Sequence, residues 1–271
     1  VTASDLVIQQ LKESGTFREL TPKSPDNIPG KITIEGKSYW NYSSNDYLGL
    51  STNTELIHDT QEKLPQFGMG ATGSRLLSGD STIYHKLEQE IAKTVNKDSA
   101  LFFNCGYMAN VGLISTLFNR HDVIFADKYC HASIIDGIKL SGATCHRFMH
   151  LDNTHLETLL KTYRSNFKNA LIVTESMFSM HGDSPDLEKL VQLKKTYDCK
   201  LMVDEAHTFG VIGEKGQGLV AHSGYSANES VDWVIGTFGK ALGGAGAFVA
   251  GSEATRTHLI NASRSFIYTT A

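Results

Sequence analysis

From residue 81 onward, short apolar runs alternate with segments that carry a helical pattern. The apolar runs predict buried strands at 100–103, 123–126, 144–149, 170–174, 200–204, 231–235 and 245–250. Helices are predicted between them at 82–95, 108–118, 131–140, 155–164 and 186–197. Strands that alternate with helices predict an α/β fold, a mostly parallel sheet with helices on both faces. Ligands in such folds bind beyond the carboxyl ends of the strands.

The first 52 residues do not follow this alternation and are predicted to form a separate N-terminal segment. It is predicted to contain a helix at 2–14 begun by a capping box of Thr2 and Asp5, an extended linker at 16–30, and a hairpin at 31–40 turning at Glu35-Gly36. The large domain is expected to extend over 53–271, beginning with a helix at 54–64. The sequence stops in mid-segment, so a longer polypeptide is expected.

Composition excludes several classes of function. The 271 residues are 41% hydrophobic and carry a formal net charge of −4, with no basic stripe, so nucleic-acid binding is not expected. No apolar run reaches the length of a membrane span. The four cysteines form no C-x-x-C pair, which predicts reduced thiols in a cytoplasmic protein and no metal site: Cys105, Cys130, Cys145 and Cys199.

Polar residues follow the predicted strands at the edge where ligands bind. They are Gly106, Tyr107, Asp127, His131, Glu175, Ser179, Asp204, His207, Thr237 and Lys240. Lys240 lies on a loop between Gly239 and Gly243, where the backbone can approach a ligand closely. A helix N-terminus at Gly106 favours a phosphate. A lysine that can condense with an aldehyde, together with a carboxylate that keeps a pyridine nitrogen protonated, predicts pyridoxal phosphate as the cofactor.

Each of these residues also has an ordinary structural role open to it. Asp204 fits a helix cap, Ser179 a turn, His131 and His207 the core, and Lys240 a solvated loop. For each residue taken singly, the ordinary structural role is favoured over a role in a cofactor site. The cofactor site is favoured only because all the residues follow strands at one edge of the sheet.

Two motifs indicate other nucleotide chemistry and are rejected. Residues 68–73 match G-x-G-x-x-G, but the dinucleotide fold requires a strand before the motif, and 62–67 do not resemble one. Residues 204–207 spell the DEAH box of helicases, which also requires a phosphate loop of the form G-x-x-x-x-G-K-[ST]. The Gly-Lys pair at Gly239-Lys240 has Val234 and Ala241 where that loop needs glycine and a hydroxyl residue.

Seven stretches together resemble the α-oxoamine synthases, pyridoxal-phosphate enzymes with the aspartate aminotransferase fold (fold type I). They keep the order found in that family: 44–50, 74–79, 131–133, 178–183, 203–207, 211–216 and 237–240. The resemblance implies that residues 53–271 form the large cofactor-binding domain. The family's small C-terminal domain, which carries an arginine for the amino-acid carboxylate, is not found in this sequence.

The resemblance also implies roles for individual residues. Lys240 would hold the cofactor covalently and act as acid and base, Asp204 would pair with the pyridine nitrogen, and His131 would stack on the ring and assist proton transfer. The remaining implied contacts are His207 and Ser179 to the phenolic oxygen, Gly106, Tyr107 and Thr237 to the phosphate, and Arg18, Asn45 and His131 to substrate.

The implied reaction joins L-alanine to a pimeloyl thioester with loss of CO₂, a step of biotin synthesis, with coenzyme A or acyl carrier protein as the thiol carrier. The loops at 73–79 and 211–218 favour that branch of the family. Residues 131–137 and 240–244 fit equally a branch that acylates glycine. A non-catalytic partner subunit is the alternative of a different class, and the presence of Lys240 argues against it.

A homodimer is also expected. The segment from Gly68 to Gly79 is rich in glycine and polar residues, so it cannot bury much apolar surface within its own domain. It is expected to pack against a twofold-related partner, as the family resemblance implies. Arg75→Glu is expected to weaken this dimer or to expose the cofactor to borohydride.

Overall fold

The computed structural model describes residues 2–270, so the outermost positions of the predicted segments, 1 and 271, lie outside it. The chain forms two compact units, one up to Ser44 and one from Asn45 onward. The predicted division after residue 52 stays a prediction.

The N-terminal unit contains one helix and a three-stranded antiparallel sheet. Its elements are α1 (Ala3–Glu13), β1 (Ser24–Pro25), β2 (Lys31–Ile34) and β3 (Lys37–Trp40). The predicted capping box is present, and the hairpin turns through Glu35 and Gly36, both with positive φ. The short strand β1 lies within the predicted linker, at the edge of the sheet, where a proline is tolerated.

The second unit contains the alternating elements that the sequence predicts. Its strands are β4 (Ser99–Phe103), β5 (Val123–Asp127), β6 (Thr144–Phe148), β7 (Ala170–Glu175), β8 (Lys200–Asp204), β9 (Trp233–Thr237) and β10 (Ala247–Gly251). Its helices are α2 (Thr54–Phe67), α3 (Thr82–Thr94), α4 (Gly106–Leu117), α5 (Ala132–Ser141), α6 (Asn153–Tyr163), α7 (Leu187–Thr196), α8 (Leu219–His222), α9 (Glu253–Ala262) and α10 (Arg264–Ile267). The last three helices were not predicted.

These strands form one seven-stranded sheet in the order β4-β10-β9-β8-β7-β5-β6. Strand β10 runs antiparallel to both of its neighbours, and the pairs from β9 to β6 are parallel. Strand β9 extends two residues beyond its predicted end. Gly236 and Thr237 are not apolar, yet they pair with Phe248 and Ala247 of β10.

Two hydrophobic cores lie on opposite faces of this sheet. Along β5, Phe125 contributes to one core and the adjacent Ile124 to the other, as the alternation of side chains in a strand requires. Helices α3, α6 and α7 pack on the first face, and α4, α5 and α9 pack on the second. The predicted α/β class with helices on both faces is confirmed. Within residues 2–270, no helix is both long enough and apolar enough to cross a bilayer.

Candidate active site

A cavity of about 180 Å³ opens at the carboxyl edge of the sheet. Its lining combines ends of β7, β8 and β9 with the first turns of α4 and α5: Gly106, Tyr107, Asn110, His131, Ser133, Glu175, Asp204, Ala206, His207, Thr237 and Lys240. Most of the residues singled out in the sequence therefore meet in one place. Their functional roles stay predictions until they are tested.

Lys240 enters the cavity from the tight loop after β9. Gly243 has φ 63°, and the amide of Gly244 donates to the carbonyl of Phe238 at 2.8 Å, so the loop turns back on itself. The Nζ atom of Lys240 lies 2.7 Å from Nε2 of His207. Burial lowers the pKa of Lys240, while the charges of Asp204 and Glu175 act to raise it. A lysine with a lowered pKa is more readily the neutral amine that attacks a carbonyl.

Asp204 ends β8 and is nearly buried, with 6% of its surface exposed. One carboxylate oxygen accepts a hydrogen bond from Nδ2 of Asn110 at 2.7 Å, and the other accepts from the amide of Ala206 at 2.9 Å. Asn110 also donates to Oγ of Ser133 at 3.0 Å, while its own Oδ1 is buried without a hydrogen-bond partner. Sequence reasoning missed Asn110, although an amide at a buried position of the apolar helix α4 was the available signal.

His131 caps the N-terminus of α5. Its ring Nδ1 lies 2.8 Å from Oγ of Ser133, and its amide donates to Oε1 of Glu175 at 2.5 Å. The ring is therefore oriented by Ser133, and His131 lines the cavity. Asp127, the last residue of β5, does not line the cavity, because its carboxylate pairs with Nδ1 of His150 at 2.9 Å.

His207 lies between Lys240 and Tyr47. Burial, followed by the positive charge of Lys240, lowers the pKa of His207 to about 4. Its Nδ1 lies 2.6 Å from the hydroxyl of Tyr47, which donates to Oδ1 of Asn45 at 3.2 Å. The ring is therefore neutral near pH 7 and bonded at both nitrogens. Tyr47 was not among the predicted site residues, since a tyrosine in a polar aromatic segment gave no indication of its partner.

Two buried carboxyl groups next to this site hold protons near neutral pH. Burial, followed by the charge of Asp204, raises the pKa of Glu175 to about 8. Burial raises the pKa of Glu205 to about 7, although the amide of Val220 donates to its Oε1 at 2.7 Å. At neutral pH, Asp204 is thus flanked by carboxyl groups that carry less negative charge than exposed ones.

The raised pKa of Glu175 gives the first prediction. The folded protein keeps a proton that the unfolded chain releases, so stability present near pH 5 is lost as pH rises towards about 8. For cofactor-free protein we expect the contribution of Glu175 to the free energy of unfolding to fall by about 2–4 kcal/mol over this window. In Glu175→Gln the fall should be clearly smaller, as measured by chemical denaturation at several pH values. The control Glu188→Gln alters an exposed glutamate on α7, and an equal change in both variants would contradict the assignment.

A phosphate-sized anion fits the N-terminus of α4. The capping residue Cys105 makes no side-chain bond to the first turn, and open space surrounds Gly106. The Tyr107 hydroxyl donates to Oδ2 of Asp136 at 2.5 Å, which directs this side chain. Thr237 accepts from the amide of Gly239 at 3.2 Å and so orders the loop on the other side. Free amides and the positive end of the helix dipole favour an anion here.

Besides Asp127, three predicted residues lie outside the cavity lining. Ser179 is exposed on the turn after β7. Asn45 is exposed, and its Oδ1 accepts a hydrogen bond from the Tyr47 hydroxyl. Arg18 is exposed in the N-terminal unit. The roles of Ser179, Asn45 and Arg18 stay predictions.

The cavity's groups match the functional groups of pyridoxal phosphate. An amine of lowered pKa suits the aldehyde, the buried carboxylate of Asp204 suits a protonated ring nitrogen, and the start of α4 suits the phosphate. The unpartnered buried Oδ1 of Asn110 lies beside the same carboxylate.

Residues 37–271 match the family model for aminotransferase class I and II. The chain belongs to this family. It is 44% identical to 8-amino-7-oxononanoate synthase from Chlorobaculum parvum, with 97% of this chain and 68% of that protein covered. It is 42% identical to the enzyme of that name from Marinobacter nauticus, with 97% and 66% covered. Within the family, the chain is thus placed among the α-oxoamine synthases, as the sequence motifs indicate.

Solved structures agree with this placement. A serine palmitoyltransferase variant from S. paucimobilis, with bound PLP and myriocin, superimposes with a TM-score of 0.89 at 30% identity, covering 99% of this chain and 69% of that one. The 8-amino-7-oxononanoate synthase of Francisella tularensis gives a TM-score of 0.72 at 39% identity, covering 85% and 63%. The predicted aspartate aminotransferase-like fold and pyridoxal phosphate as the cofactor are confirmed. The chain spans about two thirds of the length of the curated relatives that it matches.

Proposed function

We propose that this protein is an 8-amino-7-oxononanoate synthase, which condenses L-alanine with a pimeloyl thioester and releases CO₂ and the free thiol carrier. One observation carries the proposal: Lys240, Asp204, His131 and His207 share one cavity on a chain that is 42–44% identical to proteins of that name. Coenzyme A or acyl carrier protein would supply the acyl group. The free cysteines support a cytoplasmic location, because thiols stay reduced in that compartment.

The chain's own residues divide the work of this reaction. Lys240 would bind the cofactor and then move a proton at the Cα atom of alanine. Asp204 would hold a proton on the pyridine nitrogen, which lets the bound cofactor act as an electron sink. His131 would orient the cofactor ring and assist proton transfer, with Ser133 holding its imidazole in place. His207 and Ser179 would contact the phenolic oxygen.

The outer parts of the site would bind substrate and phosphate. The first turn of α4 at Gly106 and Tyr107, together with Thr237, would hold the phosphate. Asn45 and His131 would contact the amino-acid substrate, and Arg18 the carboxylate of the acyl chain. These assignments rest on the family motifs and on the positions of the residues in the second unit. Arg18 lies outside those motifs, and its assignment rests on the family resemblance alone.

Product analysis tests this function. We expect full-length protein, supplied with L-alanine and pimeloyl thioester, to form 8-amino-7-oxononanoate detectable by mass spectrometry. Parallel reactions with glycine and an acetyl thioester test the glycine-acylating branch, 2-amino-3-ketobutyrate CoA ligase. Faster product formation from glycine and acetyl thioester would replace the proposal with that activity. No product from any pair would favour a non-catalytic subunit.

We also propose that the protein acts as a homodimer through the segment from Gly68 to Gly79 and the adjoining helix α2. Large apolar side chains are exposed here: Met69 at 98% and Leu77 at 86%, with Leu56, Ile57, Leu64, Phe67 and Leu76 also exposed. Arg75→Glu is an unsuitable test of this interface, because the Arg75 guanidinium bonds Asp80 at 2.8 Å and Glu88 at 2.5 Å within its own unit. Replacing Arg75 would damage the fold as well as any interface.

Leu77 is the better residue for testing the dimer. Leu77→Glu is expected to raise the dimer dissociation constant by about tenfold or more, because it places a charge where an apolar side chain would be buried. Analytical ultracentrifugation of the full-length protein measures this change. Leu140→Glu, at a position on α5 with 69% exposure, is the matched control. Equal sedimentation of both variants as dimers would contradict this interface.

A further inference from the structure

The segment that carries Asn45 and Tyr47 lies directly against the loop that carries Lys240. A Cβ atom added to Gly243 would lie 2.3 Å from the amide nitrogen of Ser51, and Gly243 has φ 63°. Ser51 in turn donates its hydroxyl to Oδ2 of Asp46 at 2.6 Å. The two backbones therefore approach as closely as a glycine permits, and this contact fixes the position of Tyr47 relative to Lys240.

A chain of hydrogen bonds crosses from this segment into the cavity. It runs from Oδ1 of Asn45 to the hydroxyl of Tyr47 at 3.2 Å, then to Nδ1 of His207 at 2.6 Å. The opposite ring nitrogen, Nε2, contacts Nζ of Lys240 at 2.7 Å. The Tyr47 hydroxyl and the His207 ring each have a partner on both sides, and the amine of Lys240 ends the series.

The direction of each hydrogen bond in this series can be assigned by starting from Oδ1 of Asn45. The Asn45 oxygen accepts only, so it takes the single hydrogen of the Tyr47 hydroxyl. The Tyr47 oxygen must then accept a hydrogen from Nδ1 of His207. A neutral imidazole carries one N–H, so Nε2 is left with a lone pair that accepts a hydrogen from Lys240.

This order decides whether the amine of Lys240 can react. Condensation with an aldehyde replaces the two N–H protons of a neutral amine with a double bond to carbon and releases the aldehyde oxygen as water, so the nitrogen lone pair must be free. When Nε2 accepts, the lone pair of Nζ stays free. In the opposite tautomer, an Nε2–H would donate to that lone pair and block it.

We propose that Tyr47 is a positioning residue, whose hydroxyl holds His207 in the Nδ1–H tautomer and so keeps the lone pair of Lys240 available. The inference rests on the proposed function in one respect, the role of Lys240 as the cofactor-binding lysine. The tautomer of His207 itself depends on this chain's residues alone.

Nuclear magnetic resonance of cofactor-free protein labelled with ¹⁵N-histidine tests the tautomer. Long-range ¹H–¹⁵N spectra, with His207 assigned by the loss of its signals in His207→Gln, should show a protonated Nδ1 and an unprotonated Nε2. In Tyr47→Phe, which retains the ring but loses the hydroxyl, the Nε2–H form should appear. Uptake of pyridoxal phosphate, followed by absorbance, should slow by about threefold to tenfold, the effect of one hydrogen bond.

The control Tyr42→Phe removes the hydroxyl of a tyrosine that is 91% exposed in the N-terminal unit, and it should change neither measurement. An Nε2–H tautomer in the unaltered protein, or an unchanged tautomer in Tyr47→Phe, would overturn the proposal. A different lysine labelled by borohydride would instead overturn the proposed role of Lys240 and leave the result for the tautomer standing.

Discussion

Lys240→Ala is expected to eliminate covalent attachment of pyridoxal phosphate and to lower the rate of product formation by about 10³-fold or more. The amine is the group in the cavity that can form the bond, and removing an acid–base group alone costs roughly 10²–10⁴. Borohydride reduction followed by peptide mass spectrometry measures the attachment. In the unaltered protein the label should lie on the peptide that contains Lys240.

Lys63→Ala provides the matched control for this experiment. Lys63 is an exposed lysine on α2, and its removal should leave both the label and the rate unchanged. Thermal denaturation of cofactor-free Lys240→Ala checks that the loop still folds, since the turn is held by Gly243 and Gly244 rather than by the lysine. A label on another lysine, or a native rate in Lys240→Ala, would show the assignment to be wrong.

The sequence predicted the fold and the composition of the cavity because both depend on periodic patterns. Buried strands such as β5 and β7 are continuous apolar runs, and a parallel sheet brings the residues after such strands to one edge. Asp204 and Lys240 are far apart in the chain, yet each comes at or just after the end of a strand. Their meeting in one cavity follows from topology alone.

The hydrogen-bond partners of these residues could not be predicted in the same way. Asn110 contacts Asp204 because of the way α4 is rotated about its own axis against the sheet. Tyr47 contacts His207 although 160 positions of sequence separate them. Neither contact has a periodic signature. The true surroundings of Arg75 were missed for the same reason, since its guanidinium is held by Asp80 and Glu88 in a folded loop.

Ser179 does not line the cavity, and its contact with the phenolic oxygen stays a prediction. It follows β7 by four residues, and position after a strand was the criterion that placed it in the site. The chain turns outward after Ser176, whose hydroxyl is 2.6 Å from that of Thr208, so Ser179 is exposed on the turn. Glu175, the last residue of β7, lines the cavity, whereas Ser179, four residues later, does not.

Asp204→Asn is expected to retain cofactor binding and to slow exchange of the alanine Cα proton by about 10²–10⁴. The substitution preserves volume and an oxygen that can accept from Asn110, but it removes the charge that would keep the pyridine nitrogen protonated. One pKa unit is worth about 1.4 kcal/mol, and a loss of several units accounts for a rate change of this size. Exchange of deuterium into alanine, followed by NMR, measures the effect separately from acyl transfer.

A second, cofactor-free measurement distinguishes loss of charge from damage to the fold. The charge of Asp204 helps to raise the pKa of Glu175, so Asp204→Asn should lower that pKa. The loss of stability on raising the pH should then be complete at a lower pH than in the unaltered protein. Asp186→Asn, at the N-cap of α7, is the control because asparagine caps a helix as well as aspartate does. Suppose that Asp204→Asn shifts the pH dependence of stability but exchanges the alanine Cα proton at the native rate. Asp204 would then be charged in the unaltered protein, but catalysis would not depend on that charge.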